Sequence, residues 1–478
     1  MSKKRTPLAQ SREVVKKMAE TIVNMFKEFK VPVEVVEAVD GYSSYHFYLQ
    51  PKKPMRMKAF ASFVEDLKYE LSNDGVEIQA PVPNKKLVGI TVPKKEVLPA
   101  IPFDEALKWE EFTDSHPLVV PLGIDEFGNN HIMNIARMPH ILMAGTTGSG
   151  KSVLLHTIIN ALIEKNTPEQ VRFMFIDPKR VELTLYDGLP HSLTKPLTQA
   201  KKAVHALSWA VKEMERRYDI LEAEGVMNIS VYHKNIYQPA KEAWEKAGAK
   251  EKDKSELPEA LPFILIVVDE LNDIMQTYPN EFEACVVRLA QMSRAVGIHL
   301  ILTTQRPSTS VITGSIKANI PARIAMMVAS QVDSRTIMDL GGAEKLRGEG
   351  DMLLQSPEDF RPQRIQGLFI SEDEIIDRVK VWKKYDEGGL DTLDFDYSYG
   401  NDAVFNAMVG GYDDEEDDLY DDAKAAVIEA GKASTSYIQR KLRVGYSRAA
   451  RLMDLLEIGG VIGPQEGSAP RRVIGDGK

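Results

Sequence analysis

The stretch His140–Ile163, HILMAGTTGSGKSVLLHTIINALI, constrains the fold more than any other part of the chain. An apolar run breaks into glycine, threonine and serine, then resumes with Val153, Leu154, Ile158, Ala161 and Leu162 near helical spacing. Strand, loop and helix in that order, with Gly145–Ser152 matching G-x-x-x-x-G-K-[ST], read as a P-loop. The glycines let the backbone curl so that its N–H groups face a phosphate, and the helix N-terminus adds positive potential there. Gly145, Thr146, Thr147, Gly148, Ser149, Gly150, Lys151, Ser152 and Val153 are the expected nucleotide contacts. Lys151 would reach the β- and γ-phosphates and the Ser152 hydroxyl would hold Mg²⁺, so ATP and Mg²⁺ are the implied cofactors.

A P-loop gives binding, and hydrolysis needs more. LPFILIVVDEL (Leu261–Leu271) is a continuous apolar run ending in two carboxylates, the pattern of a central parallel strand. Ligands in open α/β sheets sit at the carboxyl ends of strands, so Asp269 would face the metal and Glu270 would orient and activate water. HLILTTQRPS (His299–Ser308) is a second such strand, and Gln305 could sense the γ-phosphate or position water. Further strands, VRFMFIDP and ARIAMMV, alternate with helical stretches such as Lys201–Glu222. The expectation for 116–385 is a RecA-like α/β core, a parallel sheet with helices on both faces.

Residues 1–115 read as a small α+β domain. It has an amphipathic helix over Arg12–Phe29, alternating strands VPVEVVEAV and YHFYLQ, a helical Met57–Leu71 and a strand LVGITVP. Glu242–Glu259 reads as a solvated, charged insertion. The single cysteine, Cys285, excludes a disulfide framework and a Cys-rich zinc site. No signal peptide and no membrane-spanning segment is expected, which points to a cytoplasmic protein.

Charge is uneven. The net charge is −10, yet residues 386–422 hold fourteen Asp/Glu and no Lys/Arg, and residues 423–478 hold ten Lys/Arg against five Asp/Glu. An acidic flexible linker thus precedes a basic terminal domain. DDAKAAVIEAG, STSYIQRKLRVG and YSRAARLMDLLEIGG read as three helices and VIGPQEGSAPRRVI as a β-wing, together a winged helix-turn-helix. Arg443, Tyr446, Ser447, Arg448 and Arg451, with Arg471 and Arg472 on the wing, are the DNA-contact candidates.

These strips resemble the FtsK/SpoIIIE DNA translocases. HILMAGTTGSGKSV, FIDPKRVELTLYDGLPHSLT, EMERRYDIL, SRAVGIHLILTTQRPS and TGSIKANIPARIAMMVASQVDSRTIMDLGGAEKLRGEGDML are similar to the family's motor (β) domain. YIQRKLRVGYSRAARLMDLLEIGGVIGP is similar to its γ domain, and FKVPVEVVEAV onward to its α domain. The resemblance implies a hexameric ring, a homo-oligomer, that pumps double-stranded DNA with ATP, in chromosome segregation or DNA transfer. It implies a γ domain that reads oriented sites, and an arginine acting in trans, with Arg294 the first choice and Arg323 the second. The family's cell-division members carry a membrane domain and a long Pro/Gln-rich linker, neither of which is seen here. Where the γ helix usually reads GYNRAAR, this chain has Ser447, whose shorter side chain cannot make a bidentate adenine contact.

Overall fold

The computed structural model describes residues 8–82, 85–94, 100–113, 116–246, 257–384, 393, 419–442, 452–453, 456–457, 461–463 and 471–474. The chain divides into two compact units, Met1–Tyr399 and Gly400–Lys478.

The first unit opens with a helix, Leu8–Glu28, packed on a four-stranded antiparallel sheet. Its strands are β1 (Val33–Asp40), β2 (Ser44–Pro51), β3 (Glu77–Gln79) and β4 (Val88–Pro93), in the order β1-β2-β4-β3. Alternation builds it: Val88, Ile90 and Val92 of β4 point inward to meet Phe26, Phe47, Phe60 and Leu67. The helical stretch expected over 57–71 forms as a 3₁₀ turn, Met57–Phe63, followed by the helix Val64–Glu70.

The larger part of this unit is a ten-stranded sheet. Its strands are β5 (Ile101–Pro102), β6 (Val119–Asp125), β7 (Asn130–Asn134), β8 (His140–Ala144), β9 (Val171–Ile176), β10 (Phe263–Val268), β11 (Ile298–Thr304), β12 (Ala322–Met326), β13 (Asp351–Gln355) and β14 (Gln363–Phe369). The order is β7-β6-β14-β13-β12-β8-β11-β10-β9, with β5 beside β14. The run β12-β8-β11-β10-β9 is parallel throughout, and the short β5 pairs parallel to β14. The pairs β12–β13, β13–β14, β14–β6 and β6–β7 are antiparallel. This corrects the expectation of a parallel sheet. The connections 126–129 and 356–362 are too short for a crossover helix, so the strands they join must run antiparallel. The parallel strands β8 to β11 are buried along their whole length, which is why they read as unbroken apolar runs.

In this order β11 lies between β8 and β10. The residues that follow β11 therefore arrive between the P-loop and the carboxylates that follow β10. The charged stretch expected over 242–259 begins as the end of a helix, Gln238–Lys246, with no buried residue, and 247–256 lie outside the described residues.

The second unit holds the helices Tyr420–Ala430 and Thr435–Leu442. A short antiparallel pair joins β15 (Lys432–Ala433) to β16 (Arg471–Arg472). Ala423, Val427, Ile438, Leu452, Leu456 and Ile462 share its core. The expected wing pairs: Ile462 bridges Val473, and Gly463 N–H donates to Arg472 O at 2.8 Å. Most of the acidic stretch, together with Arg443, Tyr446, Ser447, Arg448 and Arg451, lies outside the described residues.

Candidate active site

The P-loop strand β8 delivers Gly145 to a turn that closes on the helix Lys151–Lys165. Gly148 and Gly150 hold φ of 80° and 98°, left-handed backbone that glycine adopts without strain. A Cβ on Gly150 would lie 2.5 Å from Gly350 N, so a close approach of backbone also demands glycine there. The first helical hydrogen bond runs from Leu154 N–H to Gly150 O. The N–H groups of Lys151, Ser152 and Val153 therefore stay at the open end of the helix, the anion-binding arrangement.

Lys151 is buried, and its ammonium donates to Asp269 Oδ1 at 2.8 Å, to Asp269 O at 3.2 Å and to Thr303 Oγ1 at 2.8 Å. The cation expected to meet phosphate is thus held by the carboxylate expected to meet the metal. A nucleotide must exchange this pair rather than fill an empty charge. Glu270 is equally buried. It accepts from Thr304 Oγ1 (2.6 Å), Lys179 Nζ (2.9 Å), Gln305 N–H (3.2 Å) and Asn272 N–H (3.3 Å). Burial alone would raise its pKa, but the Thr304 hydroxyl and Lys179 outweigh it and hold the carboxyl below its usual range. Gln305 Oε1 accepts from Thr147 Oγ1 at 3.3 Å, so the third strip does reach the P-loop.

Sequence reasoning missed the turn after β9. Asp177, wholly buried, accepts four backbone N–H groups, those of Arg180, Val181, Glu182 and Leu183, at 2.9–3.1 Å. That clasp presents Lys179 to Glu270 and Glu182 to Ser152, whose hydroxyl donates to Glu182 Oε1 at 2.6 Å. The hydrogen bonds from His156 and Ser152 hold the Glu182 carboxyl down to about 2, against a smaller opposing effect of burial. The signal was present: VRFMFIDPKRVEL is an apolar strand ending in charge, like β10 and β11.

A second missed feature is the loop RGEGD, 347–351. Gly350 N–H donates to Ser149 O at 2.9 Å, and Arg347 reaches Ser43 O at 3.0 Å and Lys94 O at 3.4 Å. The loop roofs the P-loop and ties it to the small N-terminal sheet. Between them lies a cavity of about 740 Å³, walled by the P-loop, Glu182 and Gln305, by the RGEGD loop, and by Lys94, Ala100 and Phe369.

Arg294 is exposed at the amino end of β11, a strand of seven residues, roughly 20 Å, from Gln305. It stands apart from its own chain's P-loop. Arg323 is buried against Lys317 O, Ile337 O and Asp339, which makes it a structural cation. In the second unit Arg471 pairs with Glu457 at 2.5 Å, and Arg472 is exposed.

Ser152, Asp269 and Glu182 supply hard oxygen donors and no soft ones. That donor set suits Mg²⁺, which binds through one or two carboxylates plus substrate phosphates. No cluster of three or more His, Cys, Asp or Glu fit for another metal occurs among the described residues. No described helix is long and apolar enough to cross a membrane.

Comparison with known proteins gives the same picture. A model of the FtsK/SpoIIIE family matches residues 104–309, one of the FtsK alpha domain residues 2–94, and one of the Ftsk gamma domain residues 414–476. A DNA translocase FtsK of Streptococcus pyogenes serotype M1 is 43% identical over 474 residues, 98% of this chain and 57% of the relative. The DNA translocase FtsK of Caldanaerobacter subterraneus subsp. tengcongensis is 42% identical over 97% of this chain and 61% of the relative. The chain thus spans about 57–61% of the length of these relatives. Among solved structures, the pCW3 conjugation coupling protein TcpA, a monomer form with ATPgS, superposes with a TM-score of 0.51. It covers 76% of this chain and 99% of TcpA at 23% identity, a likeness of fold alone. Similarity this high along nearly the whole sequence decides the matter: the chain belongs to the FtsK/SpoIIIE family.

Proposed function

We propose that this chain is a DNA-dependent ATPase that moves double-stranded DNA through a ring of six copies. Chromosome segregation or DNA transfer is the task, carried out in the cytoplasm, where ATP and DNA meet. The observation that carries this reading is that the strand ends after β8 and β11 line one cavity and the end of β10 is bonded to both, Asp269 to Lys151 and Glu270 to Gln305 N–H. Lys151, Glu270 and Gln305 together have the chemistry that phosphoryl transfer to water requires. In the reading, the P-loop N–H groups and Lys151 hold the phosphates, Lys151 leaving Asp269 as they arrive. Glu270, freed from Lys179, orients water and takes its proton, and Gln305 ranks the γ-phosphate against the product. Mg²⁺, when bound, would neutralise charge on the β- and γ-phosphates, held by Ser152 and Asp269. Arg294, remote from its own site, is assigned to the neighbour's.

The second unit serves as the DNA reader, with Arg472 and the residues around 443–451 facing the duplex. Pumping itself needs only phosphate contacts, which are sequence-independent. Displacement of a third strand from linear duplex DNA, with ATP, reports movement directly. Wild type should displace it and Lys151→Ala should not. Mixing Arg294→Ala with Lys151→Ala subunits should restore part of the activity if the arginine acts in trans. ATP hydrolysis without displacement on any DNA would overturn the translocase reading.

A further inference from the structure

The helix Lys151–Lys165 is buried along most of its length, yet three polar side chains, Ser152, His156 and Asn160, recur at every fourth residue on one face. The segment 177–186 meets all three. Glu182 uses both oxygens: Oε1 accepts from Ser152 Oγ at 2.6 Å, and Oε2 lies 3.2 Å from His156 Nε2. His156 Nδ1 is 2.9 Å from the Tyr186 hydroxyl, which in turn accepts from Asn160 Nδ2 at 2.9 Å. One direction of donation runs through the row: Asn160 to Tyr186, Tyr186 to His156, His156 to Glu182.

A buried row of this kind is costly where apolar residues would pack as well, and it is worthwhile when its far end has a task. That far end opens into the cavity: Glu182 lines it beside Ser152 and Lys151. A hydroxyl has one hydrogen and two lone pairs. With its hydrogen committed to Glu182, the Ser152 oxygen has its lone pairs free for a cation. Asp269 is engaged with Lys151 and does not set that orientation.

We propose that Glu182 belongs to the Mg²⁺ site: it positions the Ser152 hydroxyl oxygen toward the metal and adds a second carboxylate beside Asp269 whose charge the metal offsets. His156, Tyr186 and Asn160 act through it, as positioning residues. The inference rests on the nucleotide-binding reading of the P-loop.

The sign of the effect separates this role from a structural one. Without metal, a carboxylate beside the phosphates repels nucleotide; with metal, it supports binding. The test uses the full chain and a fluorescent N-methylanthraniloyl derivative of ADP, with binding followed by anisotropy in EDTA and across a Mg²⁺ series. Glu182→Gln should bind the probe in EDTA at least as tightly as wild type. It should need about 10–100-fold more Mg²⁺ for the half-maximal effect, the usual scale for groups that orient metal ligands. Glu182→Asp keeps the charge but retracts it by one methylene, and should shift the midpoint the same way by a smaller factor. His156→Ala should also shift it, and adding that change to Glu182→Gln should add nothing, since both act on one oxygen. Weaker binding in EDTA and Mg²⁺ alike, or an unshifted midpoint in both Glu182 variants, overturns the proposal. A wild-type chain that binds no probe with or without Mg²⁺ would instead refute the nucleotide-binding reading.

Discussion

The two ends of the central sheet bury similar side chains in opposite ways. At the carboxyl ends, Lys151, Asp269, Glu270, Lys179 and Glu182 are paired largely with one another and with hydroxyls. At the amino ends, Arg217 bonds Pro262 O at 2.8 Å and Val296 O at 2.9 Å beside Glu213. There His299 Nδ1 meets Pro139 O at 3.0 Å, and His233 Nε2 meets Ala260 O and Leu261 O, both at 2.9 Å. Phe263 packs against His116, His233 and His299 in the same region. A side chain bonded to backbone carbonyls holds one loop in one place. A side chain bonded to another movable side chain can change partner. Burial alone does not mark a working site; the kind of partner does.

The strongest attack on this contrast removes one residue from each end. Glu270→Gln keeps an acceptor for Thr304 and Gln305 but cannot take a proton, so turnover should fall by about 10²–10⁴-fold. ATP should still bind and remain trapped, with little change in urea unfolding. Wild-type turnover would remove Glu270 from the chemistry. Arg217→Met should do the reverse. It leaves Glu213 and two loop carbonyls short of a partner and should cost about 3–5 kcal/mol of stability. Turnover per folded molecule should be unchanged, measured by unfolding alongside nucleotide-site titration. If Arg217→Met slowed turnover in fully folded protein, the Arg217 cluster would no longer be purely structural.

The smallest effect is a pH dependence. Burial pushes His140 down to about 3 and His299 down to about 4. Their folded values lie below the ordinary value near 6.5, so below that pH the unfolded chain takes up protons that the folded chain refuses. Stability should therefore fall as pH drops below about 6.5, by about 1.4 kcal/mol per pH unit for each ring, down to about 4 for His299 and about 3 for His140, and level off below. His299→Gln should flatten the slope by about one such increment. An unchanged slope would mean that these rings are not held neutral by the amino-end packing.

What could be read from sequence was what is local. Eight consecutive residues carry the P-loop, and the strands ending in Asp269–Glu270 and Gln305 announce themselves by an apolar run cut off by polar atoms. The antiparallel half of the sheet was illegible because a buried strand looks alike whichever way its neighbour runs. Glu182 was missed because it meets Ser152 across 30 residues, through a turn whose shape depends on where the Asp177 carboxylate points. Arg323 was misjudged because nothing in ARIAMMV shows that Lys317 O and Ile337 O close around its guanidinium. The RGEGD loop meets the P-loop some 200 residues away, a contact that no local pattern encodes.

The cavity has walls from two sheets: Lys94 adjoins the small one, and the rest belongs to the large one. A ligand lodged there couples the melting of the two. At a concentration a hundred times its dissociation constant it adds about 2.7 kcal/mol to whatever must open for it to leave. If only the small sheet has to peel away, that increment falls wholly on the weaker partner. Calorimetry of the empty chain should then show a low-temperature shoulder that merges into the main peak on ligation. Cooperativity between the two cores would be a property of the loaded state, switched on when a ligand enters and off when it leaves.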